Sequence, residues 1–327
     1  MYKQNVVITG CDVVGKQVIG LNELSECMKG KPFIEHSRES IRSLANQIFP
    51  PNYCRRMDDF TVLGLLAAHR AVNNAKLEFA AETDPNRGSI FSTEWGPIGS
   101  TFDFLQNIMT NGTKNASPFK FPYTVTNAMC GVIARTYKCG GVSSMLVGCC
   151  PIHYAYHLIQ NRQADCIIVG AVDDYCSMLE QVNECDNSIF SGAACIIMES
   201  EEYALERNAD IICEVMGAES YHLTSNKSED ISVGIHICDQ SVLAQSSKQL
   251  SAKDYVISNG NLFADVDNTS CQNKMELMSH ITFMGTSSVM NSCAAICKMK
   301  EHDAATMYLL HSLFAKCELN SLLLRKY

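Results

Sequence analysis

Cys150 is the residue of this sequence best placed for nucleophilic chemistry. It lies between an apolar stretch, Ser144 to Gly148, that is typical of a buried strand, and Pro151, a residue type favoured at the first position of a helix. Cys150 is therefore predicted at the N-cap of that helix, where unpaired N–H groups and the helix dipole lower a thiol pKa and favour the thiolate. The alternative is that Cys150, like most of the 17 cysteines, fills the core as a small apolar side chain.

Histidines and metal ligands give this thiol little predicted support. His153 and His157 share one face of the helix that follows Cys150, where they either pack or face solvent. There is no CxxC pair, and no pair of cysteines has companion ligands at the spacing that structural zinc uses. The sequence therefore predicts no metal site.

The elements that would position Cys150 form a strand, elbow, helix and strand unit over residues 140–174, whose second strand is predicted from Cys166 to Gly170. Upstream, a helix begins near Met57, where apolar residues recur at helical spacing. The polar stretch from Asn22 to Pro51, between the first strand and this helix, is predicted to be irregular. Strands that alternate with helices indicate an α/β fold.

The order of elements repeats in the second part of the chain. From Ile211, a helix, a strand ending in a glycine turn, a Gly/Ser-rich elbow leading into a helix, and a closing strand follow one another as they do in the first part. Such weak self-similarity indicates a duplicated α/β unit whose buried sheets are covered by helices. We predict an N-terminal half, residues 1–208, and a shorter C-terminal half, residues 209–327, with no flexible linker between them.

Composition and charge exclude several classes of protein. The 327 residues, 46% hydrophobic and 19% charged, suit a compact globular protein with a sizeable core. A net charge of −9 argues against nucleic acid or an anionic membrane surface as the main partner. The start, MYKQNVVITG, has no apolar run of signal-peptide length, and no 18 uncharged apolar residues occur in a row. With its many thiols, the sequence predicts a cytoplasmic protein in a reducing compartment.

Several segments together carry a family resemblance. They are VVITGCDVVG, MDDFTVLGLLAAHRAV, SPFKFPYTVTNAMCG, the elbow with Cys150, RQADCIIVGAVDD and SGAACIIMESEEYA. In this order they resemble the β-ketoacyl synthases of the thiolase fold, which implies a five-layer αβαβα architecture built from two duplicated halves. In that family an elbow cysteine takes an acyl chain from an acyl carrier protein, and two histidines assist decarboxylation of the malonyl unit. Backbone amides, one of them from a Gly-Phe-Gly-Gly loop, form the oxyanion hole.

Carried over residue by residue, the resemblance implies a damaged catalytic site. It places Cys150 at the nucleophile position, and Asn259 and Thr282 in place of the two histidines, with His280 two positions from Thr282. The Gly-Phe-Gly-Gly loop falls on the segment FAKCELNS, which contains no glycine to allow the close backbone approach.

This set of losses resembles the chain-length factor of type II polyketide synthases. In that subfamily the fold and its dimer surface are kept without the catalytic histidines, although the nucleophile position usually has a residue other than the Cys150 found here. The resemblance implies a heterodimer with an active ketosynthase subunit, whose acyl tunnel this chain closes. It also implies that the chain acts together with a phosphopantetheinyl acyl carrier protein and binds no cofactor itself.

Two functions follow as hypotheses. In the first, the chain is a non-catalytic subunit that shapes the tunnel with the apolar side chains of one predicted helix: Phe102, Phe104, Leu105 and Met109. The alternative for this helix is an amphipathic segment that fills its own core. In the second, the chain is an independent condensing or acyl-transfer enzyme that uses Cys150, with His153, His157 or His280 as its base.

Overall fold

The computed structural model describes most of the chain. The described residues are 3–79, 81–174, 176, 179, 190–225, 227–246, 256–259, 286–301, 306–314 and 317–327. Its strands are β1 Val6–Gly15, β2 Arg87–Thr93, β3 Ser143–Val147, β4 Cys166–Asp173, β5 Gly192–Ser200, β6 Cys213–His222, β7 Val256–Asn259, β8 Met307–Phe314 and β9 Glu318–Lys326. Its helices are α1 Leu21–Met28, α2 Arg38–Ile48, α3 Asp59–Asn74, α4 Ile98–Asn111, α5 Ala128–Thr136, α6 Pro151–Gln160, α7 Glu201–Glu206, α8 Ser228–Gln245 and α9 Ser287–Met299.

The strand order reveals a duplication. The described strands follow one another as β3-β2-β4-β5-β1-β6-β9-β8-β7. In the first half β2 is parallel to β4, which is antiparallel to β5, which is antiparallel to β1. In the second half β7 is parallel to β8, which is antiparallel to β9, which is antiparallel to β6. The two patterns meet where β1 pairs with β6. The predicted duplicated α/β fold is therefore confirmed.

The elements stack in five layers. We call the strands of the first half, β1 to β5, the first sheet and those of the second half, β6 to β9, the second sheet; the two are joined where β1 pairs with β6. On the outside of the first sheet, α3 packs on β1, β4 and β5, and on the outside of the second sheet α8 packs on β6 and β9. Between the sheets lie α6, which contacts β4 and β6, and α9, which contacts β5 and β8. One apolar core spans this middle layer and includes residues of both halves, such as Ile8, Ile167, Cys293 and Leu310.

Helix α9 is enclosed by both halves. All of its residues except Lys298 are buried. The Cys293 sulfur lies 4.0 Å from the backbone oxygens of Asp12 and Cys195, in the other half of the chain. The middle layer therefore joins the halves through shared packing.

The stretch between β1 and α3 differs from its prediction. Instead of irregular chain it contains α1 and α2. The N-cap of α2 is Ser37, whose side chain accepts a hydrogen bond from the N–H of Ser40 at 3.1 Å. Only Ile41 and Ala45 of α2 are buried. Ile41, Leu44, Ala45 and Ile48 nevertheless recur at helical spacing, so a signal for α2 was present in the sequence and was outweighed by the polar composition of the stretch.

Membrane-spanning helices and clusters of metal ligands are both absent from the described residues. No helix in the described part of the chain combines the length and the apolar composition needed to cross a bilayer. The described residues also contain no group of three His, Cys, Asp or Glu side chains that could hold a metal ion.

Candidate functional site

The turn between β3 and α6 positions Cys150 as the sequence predicts. After β3, Gly148 has φ of +67°, a conformation that glycine adopts without strain, and its N–H donates to the Thr93 oxygen at 2.9 Å. Cys150 is the N-cap of α6, and Pro151 occupies the first helical position. The observed β3 and β4 agree with the strands predicted on either side of this helix.

Cys150 is enclosed, with almost no free space beside it. The residue is 6% exposed. It lines a cavity of about 10 Å³ together with His153, Glu219, Ser288 and Asn320. A cavity of this size has room for about one water molecule. Within the described part of the chain, the space of this cavity is too small for an acyl chain beside the sulfur.

The pKa of the Cys150 thiol is raised to about 11, and burial is the main cause. The N–H groups of His153 and Ile152 and the Ser288 hydroxyl oppose this shift, and the Glu318 carboxylate adds to it. The expected lowering of the pKa by the helix end is therefore outweighed. At neutral pH the sulfur is a protonated, buried thiol, as expected if Cys150 fills the core as a small apolar side chain.

A carboxylate holds the backbone N–H of this elbow. Oε1 of Glu318 accepts a hydrogen bond from the Cys150 N–H at 3.2 Å. An oxyanion hole needs free donors aimed at the oxygen that becomes negative in the transition state. Here one such donor is already bound to an anion. Sequence reasoning missed Glu318, although a carboxylate in a segment where the family has a glycine-rich loop was a visible signal.

The two nearby histidines interact with each other and with β6. Their Nε2 atoms are 3.0 Å apart, and Nδ1 of His153 lies 3.3 Å from the Ser220 hydroxyl. Burial lowers the pKa of both imidazoles, and the Glu219 carboxylate, 3.7 Å from His153, opposes this. Among the described residues neither imidazole hydrogen-bonds the Cys150 thiol.

The residues predicted in place of the catalytic histidines are described only in part. Asn259 is the last residue of β7 and pairs in register with His311 of β8. Thr282 and His280 lie outside the described residues. His311, which the sequence did not single out, is fully buried, and its Nε2 lies 2.8 Å from Oδ1 of Asp239. This pair connects β8 to α8, on the outer side of the second sheet.

The predicted tunnel residues lie on an exposed helix. No residue of α4 is buried, so the alternative in which α4 fills its own core does not hold. Phe102 is 44% exposed, Leu105 52% and Met109 85%, while Phe104 is half-buried against Phe121, with ring centroids 5.8 Å apart. The segment packed against α4 also exposes Phe119, Phe121 and Val125. We refer to these exposed residues of α4 and of residues 119–125 as the α4 face.

Comparison with known proteins shows which family the N-terminal part of the chain resembles. Residues 33–190 match the family model of the β-ketoacyl synthase N-terminal domain. This matched stretch is just under half of the chain, and it is similar to the β-ketoacyl synthases. The resemblance inferred from the sequence motifs is thus confirmed.

Curated relatives match at modest identity. The chain is 26% identical to the chloroplastic 3-oxoacyl-[acyl-carrier-protein] synthase I of Hordeum vulgare over 217 residues, which cover 55% of this chain and 47% of the relative. It is 23% identical to 3-oxoacyl-[acyl-carrier-protein] synthase 2 of Coxiella burnetii over 307 residues, covering 80% and 74%. The matched region spans about half the length of several such relatives.

Solved structures share the fold along the whole chain. The ishigamide ketosynthase/chain length factor matches with a TM-score of 0.77 at 16% identity, covering 98% of this chain and 99% of that one. A type II polyketide synthase acyl-carrier protein in complex with its ketosynthase bound to the hexaketide, AntDE:AntF, matches with a TM-score of 0.78 at 15% identity, covering 99% and 100%. The chain therefore has the thiolase-like ketosynthase fold in both halves.

Proposed function

We propose that this chain is a non-catalytic subunit, similar to a chain-length factor, that pairs with an active β-ketoacyl synthase and shapes the acyl tunnel of the pair. The observation that carries the proposal is the state of Cys150: a buried thiol with a raised pKa, beside a cavity with room for about one water molecule.

The chemistry of condensation explains why this state is unsuited to catalysis. Attack on a thioester carbonyl needs a thiolate, space for the acyl chain and free donors for the developing oxyanion. The Cys150 thiol is protonated at neutral pH, its surroundings are packed, and its N–H is held by Glu318. The described histidines near it face each other and β6 rather than the sulfur.

The exposed surface of the first half supports pairing with a partner. Strand β3 pairs with β2 and ends the described sheet, and its Val147 is 61% exposed. An edge strand presents unpaired backbone donors and acceptors to a neighbouring chain. The α4 face adds several large apolar side chains, and exposed apolar patches of this kind mark interaction sites. In the proposed pair, this face lines the end of the tunnel.

An acyl carrier protein would reach the pair mainly through the synthase. Carrier proteins are acidic, and this chain has a net charge of −9, so the active subunit would supply the basic docking surface. The substrate would be carried on the phosphopantetheine arm of that carrier protein, with no cofactor bound to this chain.

A second candidate function has two observations in its favour. Cys150 keeps the elbow position of a nucleophile, and the curated relatives are named as 3-oxoacyl-[acyl-carrier-protein] synthases. In this alternative the chain is itself a β-ketoacyl synthase or an acyltransferase, and a rearrangement around the elbow opens the site.

Co-expression distinguishes the two functions. This chain, carrying an affinity tag, is produced with a β-ketoacyl synthase of the same genome that retains its cysteine and both histidines. We expect a stoichiometric heterodimer on size-exclusion chromatography with light scattering. A soluble homodimer of this chain that consumes malonyl carrier protein would overturn the proposal.

A further inference from the structure

Glu318 is the feature of the site that the proposed function leaves unexplained. It begins β9, where it pairs with Phe314 of β8 and His222 of β6. The backbone of Glu318 is thus fixed between two neighbouring strands, and its side chain reaches the elbow at the start of α6. There its Oε1 accepts the hydrogen bond from the Cys150 N–H at 3.2 Å.

We infer that Glu318 is a built-in inhibitor of the elbow: its carboxylate occupies the oxyanion position and its charge opposes a thiolate at Cys150. The inference rests on the proposed function, because it explains how a cysteine can be retained at the elbow of a subunit that does not catalyse.

The first effect is occupancy. The Cys150 N–H points at Oε1 of Glu318, so a substrate carbonyl oxygen would have to displace a carboxylate to gain this donor. Charge-assisted hydrogen bonds of this kind are stronger than bonds to a neutral carbonyl oxygen. The exchange is therefore unfavourable for a thioester substrate.

The second effect is electrostatic, and it acts on both cysteines of the elbow. After burial, a hydrogen bond with Glu318 and its charge are the next causes that raise the pKa of Cys149 to about 12. Glu318 also contributes to the raised pKa of Cys150. A negative charge near a thiol disfavours the thiolate, which would be a second negative charge.

Asn320, a polar residue close to Glu318 in β9, also lies beside Cys150. Asn320 is two residues further along β9, so it points to the same side of the strand, and it lines the cavity beside Cys150. Its side chain is buried, and neither its oxygen nor its nitrogen has a hydrogen-bond partner among the described residues. Polar atoms without partners among the described residues therefore remain beside Cys150 in addition to the bond between its N–H and Glu318.

The test uses two variants of Glu318 and one matched control in the full chain. Glu318→Gln removes the charge but keeps an oxygen that can accept the Cys150 N–H, whereas Glu318→Ala removes both. Glu219→Gln is the control, because Glu219 is a carboxylate that lines the cavity beside Cys150, while the bond to the Cys150 N–H comes from Glu318. Urea denaturation of each variant checks that it is folded.

The first measurement is alkylation of Cys150 by iodoacetamide at pH 8, followed by mass spectrometry that separates modification at Cys149 from modification at Cys150. The rate follows the thiolate fraction, and one pKa unit changes that fraction tenfold. We expect both Glu318 variants to be alkylated about tenfold faster than the chain without substitutions. Glu219→Gln should be alkylated at the same rate as the chain without substitutions.

The second measurement is acetylation by p-nitrophenyl acetate. The Cys150 sulfur bonds to the acetyl carbon, the bond from that carbon to the phenol oxygen breaks, p-nitrophenolate leaves, and the thiol proton passes to solvent. Because this step develops an oxyanion, we expect Glu318→Ala to be acetylated several times faster than Glu318→Gln.

The inference is overturned if folded Glu318→Ala reacts at the unmodified rate with both reagents, or if Glu219→Gln accelerates alkylation equally. The same variants separate this inference from the proposed function. Glu318 lies on neither α4 nor β3, so the variants should still co-purify with the synthase. Failure of the unmodified chain to pair with a synthase would contradict the proposed function and leave the alkylation rates to decide the role of Glu318.

Discussion

Truncation of Leu105 gives a quantitative test of the α4 face. Leu105 is 52% exposed in the single chain. Complete burial of a leucine side chain contributes about 1.5–3 kcal/mol, so covering the exposed half in a complex would contribute about 0.8–1.5 kcal/mol. Leu105→Ala should therefore raise the Kd for the synthase about 4- to 12-fold. Met109→Ala should have a larger effect, about 8- to 60-fold, because Met109 is 85% exposed.

The chain offers a matched control for this measurement. Leu205, on α7, is 55% exposed, nearly the same as Leu105, but α7 packs on β1 and β5 rather than beside α4. Kd values for the unmodified chain and the three variants can be measured by surface plasmon resonance against the immobilised synthase. Leu205→Ala should bind as the unmodified chain does. Equal Kd values for Leu105→Ala and Leu205→Ala would refute the assignment of the α4 face as the interface.

Three further predictions concern stability, each measured by urea denaturation. Arg207→Met should cost about 3–5 kcal/mol, because Nε and Nη2 of Arg207 each lie 2.6 Å from an oxygen of the fully buried Glu199, which would lose its cationic partner and keep only the Thr9 hydroxyl. Lys76→Met, which breaks an exposed ion pair, should have no measurable effect. Burial raises the pKa of Asp174 to about 6. The folded state therefore holds a proton that the unfolded state loses above pH 4, and the free energy of unfolding should fall as pH rises from 4 to 6. Asp174→Asn should remove this decline and add roughly 1–3 kcal/mol of stability at pH 7. Gly10→Ala should cost about 1–3 kcal/mol, because its new Cβ would lie 2.4 Å from a backbone oxygen of α3. An unchanged urea midpoint would show that α3 can move away from β1.

The conformation of the elbow could be predicted from the sequence, because it depends on the residues next to Cys150. Pro151 marks the start of α6, and the short apolar run before it marks β3, so the N-cap position of Cys150 followed from neighbouring residues alone. The state of the thiol did not follow. Its pKa depends on burial between two sheets and on Glu318, which is 168 positions away in the sequence, and no pattern near Cys150 reports on either.

The interpretation of α4 shows the opposite limit. Apolar residues at helical spacing predict a helix, and α4 is one, but the pattern does not say what the apolar side chains contact. A helix that packs inside its own chain and one that packs on a partner have the same periodicity. Only the exposure of Phe102, Leu105 and Met109 separates these cases.

The position of α9 has a consequence for the folding of the two halves. The helix comes from the second half of the sequence, yet it fills the space against β1 and β5 of the first. A fragment that ends near residue 208 would lack this filling and present two bare strands to water, so it should precipitate when produced alone. Because α9 completes the packing of both halves, neither half should fold as an independent unit.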